Sequence, residues 1–412
     1  MGFQSGLSGL NAASSNLDVI GNNVANASTV GFKGSRTLFA DVFASSLTGA
    51  GTGQIGIGTK VAKIQQEFTQ GNISVTNNPL DVAINGGGFF RLSDNGTVTY
   101  SRNGQFHLDN AGFIVSADNL KLTGFPVDAT GNIIPSSPQP LQLSTADLAP
   151  QSTTNFDATL NLDSRSTSIA LPFVATDPAT FTASTAGTVF DTLGNAHVFT
   201  MFFVKTATAG QWDLHATVDG GPVTDVNLGA GAGNPLTLNF NSSGALTTAM
   251  PIAAVDLTVG GGATTPLTFS LDFSGTSQFG AEFGVSALAQ DGFTSGRLTG
   301  FNIGEDGVMV GRYSNGQARQ LGQVVLANFA NPSGLRALGN NRWEETSDSG
   351  LAVVGAPQTS SLGALQSAAV EDSNVDLTQE LVNLITAQRV YQANAQTIRT
   401  QDQVLQTLVN LR

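Results

Sequence analysis

The stretch VDLTQELVNLITAQRVYQANAQTIRTQDQVLQTLVNLR, residues 375–412, holds neither Pro nor Gly and places a large side chain at every seventh position: Leu377, Leu384, Tyr391, Ile398 and Leu405. That spacing keeps one stripe on one side of a helix. Asp376 can cap the helix, and Gln379 sits three residues later, where a capping box wants its reciprocal partner. A helix of about 36 residues is about 54 Å long, so one β-domain of the same chain cannot cover it. Leu381 and Leu408 add to the apolar surface. The other face carries Gln388, Gln392, Asn394, Gln396, Gln401, Gln403, Gln406 and Asn410, polar but almost uncharged.

A second stripe opens the chain. Phe3, Leu7, Leu10, Leu17 and Val24 follow a helical period with Ala13 and Ile20 between them, and Phe3, Leu10, Leu17 and Val24 recur every seven residues. The two ends are therefore expected to pair, antiparallel or coaxially, with the two stripes against each other. Two helices cannot cover each other all round, so leftover apolar surface would mark an association site; the alternative is a local two-helix hairpin.

Between the helices the pattern is that of strands and turns. Asn95-Gly96, Asn103-Gly104 and Asn110-Ala111-Gly112 break short alternating apolar runs, which predicts a β-meander over 61–127. Residues 145–289 become rich in Thr, Ser and Ala and hold two basic residues, Arg165 and Lys205. From Asp291 to Gly350 the pattern of 61–127 returns, with turns at Glu305-Asp306-Gly307 and Asn315-Gly316. The expected fold is mainly β with α-helical termini. The N- and C-terminal helices, 1–30 and 373–412, pair as a coiled-coil-like domain. A first β-domain spans 61–144 and 290–350, a second at 145–289 is inserted into it, and connectors run over 31–60 and 351–372. Gly49, Gly51, Gly53, Gly56 and Gly58 punctuate the first connector, as a hinge or as an ordinary surface loop.

Composition narrows the function. Charged residues are 11% of the 412, against roughly 25% in an average soluble domain, and the formal charge is −13. An acidic chain repels nucleic-acid phosphates and anionic lipid heads, so neither is an expected partner. No apolar run of about 18 residues occurs, which argues against membrane insertion. With zero Cys there is no disulfide or thiolate metal site. The N-terminal stretch has no basic residue before Lys33 and no compact apolar segment, so no Sec-type signal peptide is expected.

Catalysis is not expected either. His107, His197 and His215 lie in separate predicted strands without HxxxH or HxH spacing, and read as solvated or packed strand residues. Gly86-Gly87-Gly88 lacks the GK[ST] ending of a phosphate loop and runs into Phe89-Phe90, which suits a sharp turn into a core strand. No GxSxG and no EF-hand pattern is present. Lys33, Arg389 and Arg399 stand out because charge is scarce near the ends. Arg389 can pair with Glu380 or Asp376 of a neighbouring copy, or can be a solvated helix residue.

Several segments, in order, resemble one family. NNVANASTVGFKGSR at 22–36, DVAINGGGFFRL at 81–92, YSRNGQFHLDNAGFIV at 100–115, DGVMVGRYSNGQARQLGQVVLANFANPSGLRALGNNRWEETSDSG at 306–350 and the C-terminal segment from Ser373 are similar to the bacterial flagellar rod and hook subunits. VFDTLGNAHVFTMFFVK at 189–205 resembles a segment of the hook branch that the shorter rod subunits lack. About half the chain is covered, with 206–289 matching least.

The resemblance implies a structural, non-enzymatic subunit without cofactor or metal. Such subunits polymerise head to tail into a flexible helical tube, a universal joint between motor rod and filament. It further implies export without a cleaved signal peptide to the extracellular flagellum. The implied partners are other copies of the chain, the rod, the hook cap, the hook-filament junction proteins and the export apparatus. The terminal helices would form the innermost layer. Their assembly residues would be Phe3, Leu7, Leu10, Leu17, Val24, Leu377, Leu381, Leu384, Tyr391, Ile398, Leu405 and Leu408, while Gln388, Gln396, Gln403, Gln406 and Asn410 would face a lumen that serves as export conduit. A distal-rod subunit of the same family and an extracellular β-rich binding module are the alternatives.

Overall fold

The structure, a computed structural model, describes residues 2–42, 56–128, 130–144 and 146–410. Two long helices, α1 (Gly2–Ala25) and α2 (Leu377–Asn410), bracket described residues that are mainly strands and turns. Asp376 caps α2 as expected, its Oδ1 accepting the Thr378 and Gln379 amides at 2.8 and 3.2 Å. The reciprocal half of the capping box does not form. Gln379 instead donates its side-chain amide to Asn383 Oδ1 at 3.2 Å, one turn along the helix.

The chain forms two units. The first comprises Met1–Thr145, Gly300–Arg312 and Ala318–Arg412; the second comprises Ala146–Thr299 and Tyr313–Gln317. The second therefore reaches ten residues beyond the expected boundary at 289. The cause is local pairing: Leu148 bridges to Gly296 and Gln151 to Phe293, which holds 290–299 to the entering strand.

In the first unit much of what is described of the two expected connectors is itself sheet. β1 (Ser35–Val42) and β2 (Gly58–Gln66) pair antiparallel, Ser35 opposite Gln66 and Val42 opposite Gly58, with a bulge at Leu38/Phe39. Segment 351–372 is likewise woven in. Val353–Gly355 pairs with Leu326–Asn328, Ala364–Ser367 with Val82–Asn85, and Ala369–Glu371 with Ile73–Val75. Buried Leu362, Leu365 and Val370 supply the apolar side chains that a free connector would not carry.

The strands do not run as one meander. Phe89–Asp94 and Thr97–Ser101 form a hairpin, but Lys121–Phe125 returns to the other side of Phe89–Asp94. The sheet order is Ala318–Val324, Lys121–Phe125, Phe89–Asp94, Thr97–Ser101, Arg342–Glu344 and Arg336–Gly339. Asn95 (φ 48°) and Gly96 (φ 106°) make the two-residue hairpin read from the sequence. Asn103-Gly104 is no hairpin: a Cβ on Gly104 would lie 1.7 Å from the Val82 carbonyl, so this glycine allows a close backbone approach. Gly86-Gly87-Gly88 does turn into the core strand, delivering Phe89 and Phe90 fully buried. Phe68, Phe89, Tyr100, Phe329 and Trp343 stack edge to face around them, with ring centroids 4.8–5.8 Å apart.

The second unit packs a five-stranded sheet on a four-stranded one around Phe156, Phe199, Phe203, Trp212, Phe269 and Phe273. Within it Leu148, Gln151 and Asn155–Asn161 start the chain's path, and Gly284–Gln290 returns beside the last of these.

Four loops across the two units repeat one device, [Asp/Asn]-x-x-Gly-x. Asp109, Asp128, Asp191 and Asn241 each accept backbone amides two and four residues on, all at 2.8–3.0 Å. The glycines at the fourth position take φ near 80–93°. Hydrogen bonds from Thr130 and Asn132 hold the Asp128 carboxyl down to about 2.

The histidines all sit on strands. His107 is exposed, and His215 stacks on Phe173 at 4.2 Å. His197 is buried between two carboxylates, with Nδ1 2.7 Å from Asp219 Oδ2 and Nε2 3.3 Å from Asp191 Oδ2. Burial opposes its charge, but the Asp219 and Asp191 hydrogen bonds prevail and raise its pKa. A raised folded-state pKa contributes stability that is whole below the unfolded value of about 6.5 and is lost as pH rises through the folded one. His197→Gln is expected to lower stability by about 1 kcal/mol at pH 6 and less at pH 9. Urea titration at the two pH values checks this; an equal loss at both would refute it.

Candidate assembly surface at the paired helices

Helix α1 is rich in small residues, and these decide how it packs. Its inward face is Gly6, Gly9, Ala12, Ala13, Val19, Ile20 and Asn23, of which Gly9 is half-buried and the others buried. A Cβ on Gly6 would lie 3.0 Å from Ile398 Cγ1, and one on Gly9 would lie 2.8 Å from Asn394 Oδ1. The helices thus meet at these two glycines, whose missing side chains let the backbones approach.

This corrects the expected stripe-on-stripe contact. Phe3 and Leu7 remain 47% and 45% exposed, while Leu10, Leu17 and Val24 are half-buried. On α2, Leu384 and Ile398 are half-buried, but Leu377, Tyr391 and Leu405 are 47%, 37% and 53% exposed, and Leu381 is exposed as well. Large side chains would hold the backbones apart, so the small-residue face wins the seam and the large ones are left outside. Gln388, Gln396, Gln403 and Gln406 are exposed; the side chains of Leu408 and Asn410 lie outside the described residues.

The hairpin β1/β2 lies against the same helix. Ser8 Oγ accepts the Thr59 amide at 3.3 Å and Ser5 Oγ donates to the Ile57 carbonyl at 3.3 Å. Gly58 is therefore no hinge: paired with Val42, it would press a Cβ to 2.0 Å from Ser8 Oγ. Gly49, Gly51 and Gly53 lie outside the described residues. Asn23 crosses the gap, exchanging both hydrogen bonds with the Ser35 backbone at 2.8 and 2.9 Å. Asn374 does the same just before α2, accepting from the Gly34 amide and donating to the Glu67 carbonyl.

Where the ends meet the β-body there is a buried charge node. Glu371, wholly buried, accepts from Lys33 Nζ at 2.6 Å, Arg102 Nη1 at 3.1 Å and the Gly71 amide at 2.9 Å. Lys33 also donates to the Thr69 carbonyl at 2.7 Å, and Arg102 to the Gly86 carbonyl at 2.9 Å. Burial pushes the pKa of both cations down against the pull of Glu371. The Gly31 amide donates to the Glu371 carbonyl at 2.8 Å, and Gly31 needs φ 70° and no Cβ to pass Asn103. Sequence reasoning singled out Lys33 for its isolation but missed Glu371, Arg102, Asn23 and Asn374.

Chemically the surface offers apolar contact and amide hydrogen bonds. Among the described residues no group of three or more His, Cys, Asp or Glu could hold a metal, and no helix is long and apolar enough to cross a membrane.

Comparison with known proteins places these features. Residues 3–33 match the flagella basal body rod protein model, 83–190 the flagellar hook protein FlgE/F/G D1 domain, 155–293 the flagellar basal body protein FlaE D2 domain, and 366–411 the flagellar basal body rod FlgEFG protein C-terminal model. The flagellar hook protein FlgE of Escherichia coli K12 is 44% identical, with all of both chains covered. That of Treponema pallidum is 32% identical over 99% of this chain and 98% of its own. The crystal structure of Helicobacter pylori flagellar hook protein FlgE2 shares the fold at a TM-score of 0.52 and 14% identity, covering 73% of this chain and 99% of that one.

Proposed function

The chain belongs to the flagellar hook protein family, and from that premise we propose how its own surfaces do the family's work. It is a structural subunit of the hook, and its relatives are structural proteins. One observation carries the reading of the assembly surface. After α1 and α2 have packed, Phe3, Leu7, Leu377, Leu381, Tyr391 and Leu405 still face outward. Apolar surface of that extent on a lone subunit is stabilised by neighbours of the same kind, and a heterologous contact that never closes builds a helical tube.

On this reading the tube is a flexible coupling between rod and filament. Small, uncharged contacts in the Thr/Ser/Ala-rich 145–289 segment slide past one another as it turns, because interlocked large side chains would resist. The exposed Gln388, Gln396, Gln403 and Gln406 offer a passing unfolded chain neither an apolar wall nor a charge, which suits a lumen lining. Rod, cap, junction proteins and export apparatus are the partners this role requires, and export would proceed without a cleaved signal peptide. The match over 155–293 falls on the segment that a distal-rod subunit would lack.

Electron microscopy of the purified chain under salt-induced polymerisation tests the proposal: curved tubes are expected, and straight rods would favour the rod relative. Removing residues 1–30 or 373–412 leaves Lys33, Arg102 and Glu371 in place, so the remainder is expected to stay folded yet lose assembly. Polymers formed normally by either truncation would overturn this division of labour.

A further inference from the structure

A groove of about 960 Å³ runs between α1, the N-terminal half of α2 and β1. Its apolar wall includes Ala12, Ala13, Val19, Ile20, Ala387 and Val390, and Glu380 lies in its polar wall. Glu380 is poorly satisfied: Oε1 accepts one long bond from Asn23 at 3.4 Å, and Oε2, turned away from water, has no partner among the described residues. A carboxylate in this state costs free energy until a donor reaches it. Asp376 is not in that position, because it already accepts two helix amides.

The chain carries a matching group on the far side of the same helix. Arg389 is nine residues on, about two and a half turns, and so points about 180° away from Glu380. It is exposed, and it takes part in none of the ion pairs among the described residues. Val382 and Ile385, on its own side of α2, are exposed as well. One side of α2 is thus a notch with an unsatisfied anion, and the other a ridge with a solvent-exposed cation between apolar neighbours. A heterologous, open-ended contact needs two such surfaces on one subunit.

We propose that the groove takes the Val382–Ile385–Arg389 ridge of a second copy of this chain, with Arg389 reaching Glu380. A small turn of Glu380 toward the groove forfeits the long Asn23 bond and gains a charge-assisted one. This contact rests on the hook reading and supplies the subunit interface that the hook reading leaves open.

The test uses the full chain, which has no cysteine of its own. Positions 380 and 389 are about 13.5 Å apart along the helix and on opposite sides, beyond the roughly 7 Å a disulfide spans, so E380C/R389C can bridge only between copies. Oxidised polymers of this variant are expected to run as a ladder of dimers, trimers and higher species. E380R and R389E are each expected to raise the critical concentration for polymerisation about tenfold, and E380R/R389E to recover most of the loss. R389E alters an exposed residue, so unchanged helix content by circular dichroism separates its effect from misfolding. Normal tubes without a ladder, or a double charge reversal no better than the single ones, would overturn this contact alone. A parent chain that never polymerises would overturn the hook reading too.

Discussion

Glu371→Gln is expected to destabilise the first unit by about 3–5 kcal/mol, far more than a substitution at the protein surface. The node holds two cations and one anion, all buried, and each cation is tolerated because Glu371 sits 2.6 Å from Lys33 and 3.1 Å from Arg102. Glutamine keeps the shape but removes the charge, and its amide would present N–H to one of two groups that can only donate. Two like charges would then remain in a site closed to water. Lys33→Met should cost clearly less, because it leaves Arg102 and Glu371 as a neutral pair and loses one bond to Thr69. Urea denaturation of the three proteins reads this order directly. A Lys33→Met variant as unstable as Glu371→Gln would mean that the node is held by packing and not by charge balance.

That node was the least legible part of the chain. Lys33 and Glu371 are 338 residues apart, and their pairing depends on a meeting of chain ends that no local pattern records. Lys33 could be noticed, since charge is scarce around it, but its partner could not be chosen. The helices and the Asn95-Gly96 hairpin were legible for the opposite reason: a seven-residue stripe, an N-capping Asp376 and a two-residue turn each act within a few residues of themselves, whereas the sheet order around that hairpin depends on distant strands. The hairpin of β1 and β2 was hidden by its glycines, which suggest mobility yet at Gly58 serve a close helix contact. Segment 351–372 was hidden because its three strands are only three or four residues each and pair with distant partners.

The helix seam shows how a correct periodicity can point to the wrong face. Large residues mark a stripe in any hydrophobic count, whereas Gly6 and Gly9 contribute almost nothing to it and yet sit where α1 comes against the Asn394 and Ile398 side chains of α2. Substitutions separate the two roles. Gly9→Leu is expected to disengage the helices, since its Cβ alone would lie 2.8 Å from the Asn394 side chain and the rest has nowhere to go; overpacking of this kind costs about 1–3 kcal/mol. The loss should fall on assembly, with the critical concentration for polymerisation up at least about tenfold, a shift of about 1.4 kcal/mol, while urea unfolding of the second unit stays unchanged. Gly9→Ala should be mild, because the Asn394 amide is the movable end of a side chain. Gly21→Ala is the control within the same helix: nothing lies within 4 Å of its Cβ, so the added methyl should strengthen α1 by up to about 1 kcal/mol and leave polymerisation intact. Were Gly9→Leu to assemble as well as Gly21→Ala, the seam would be incidental, and the exposed leucines would have to hold the helices together after all.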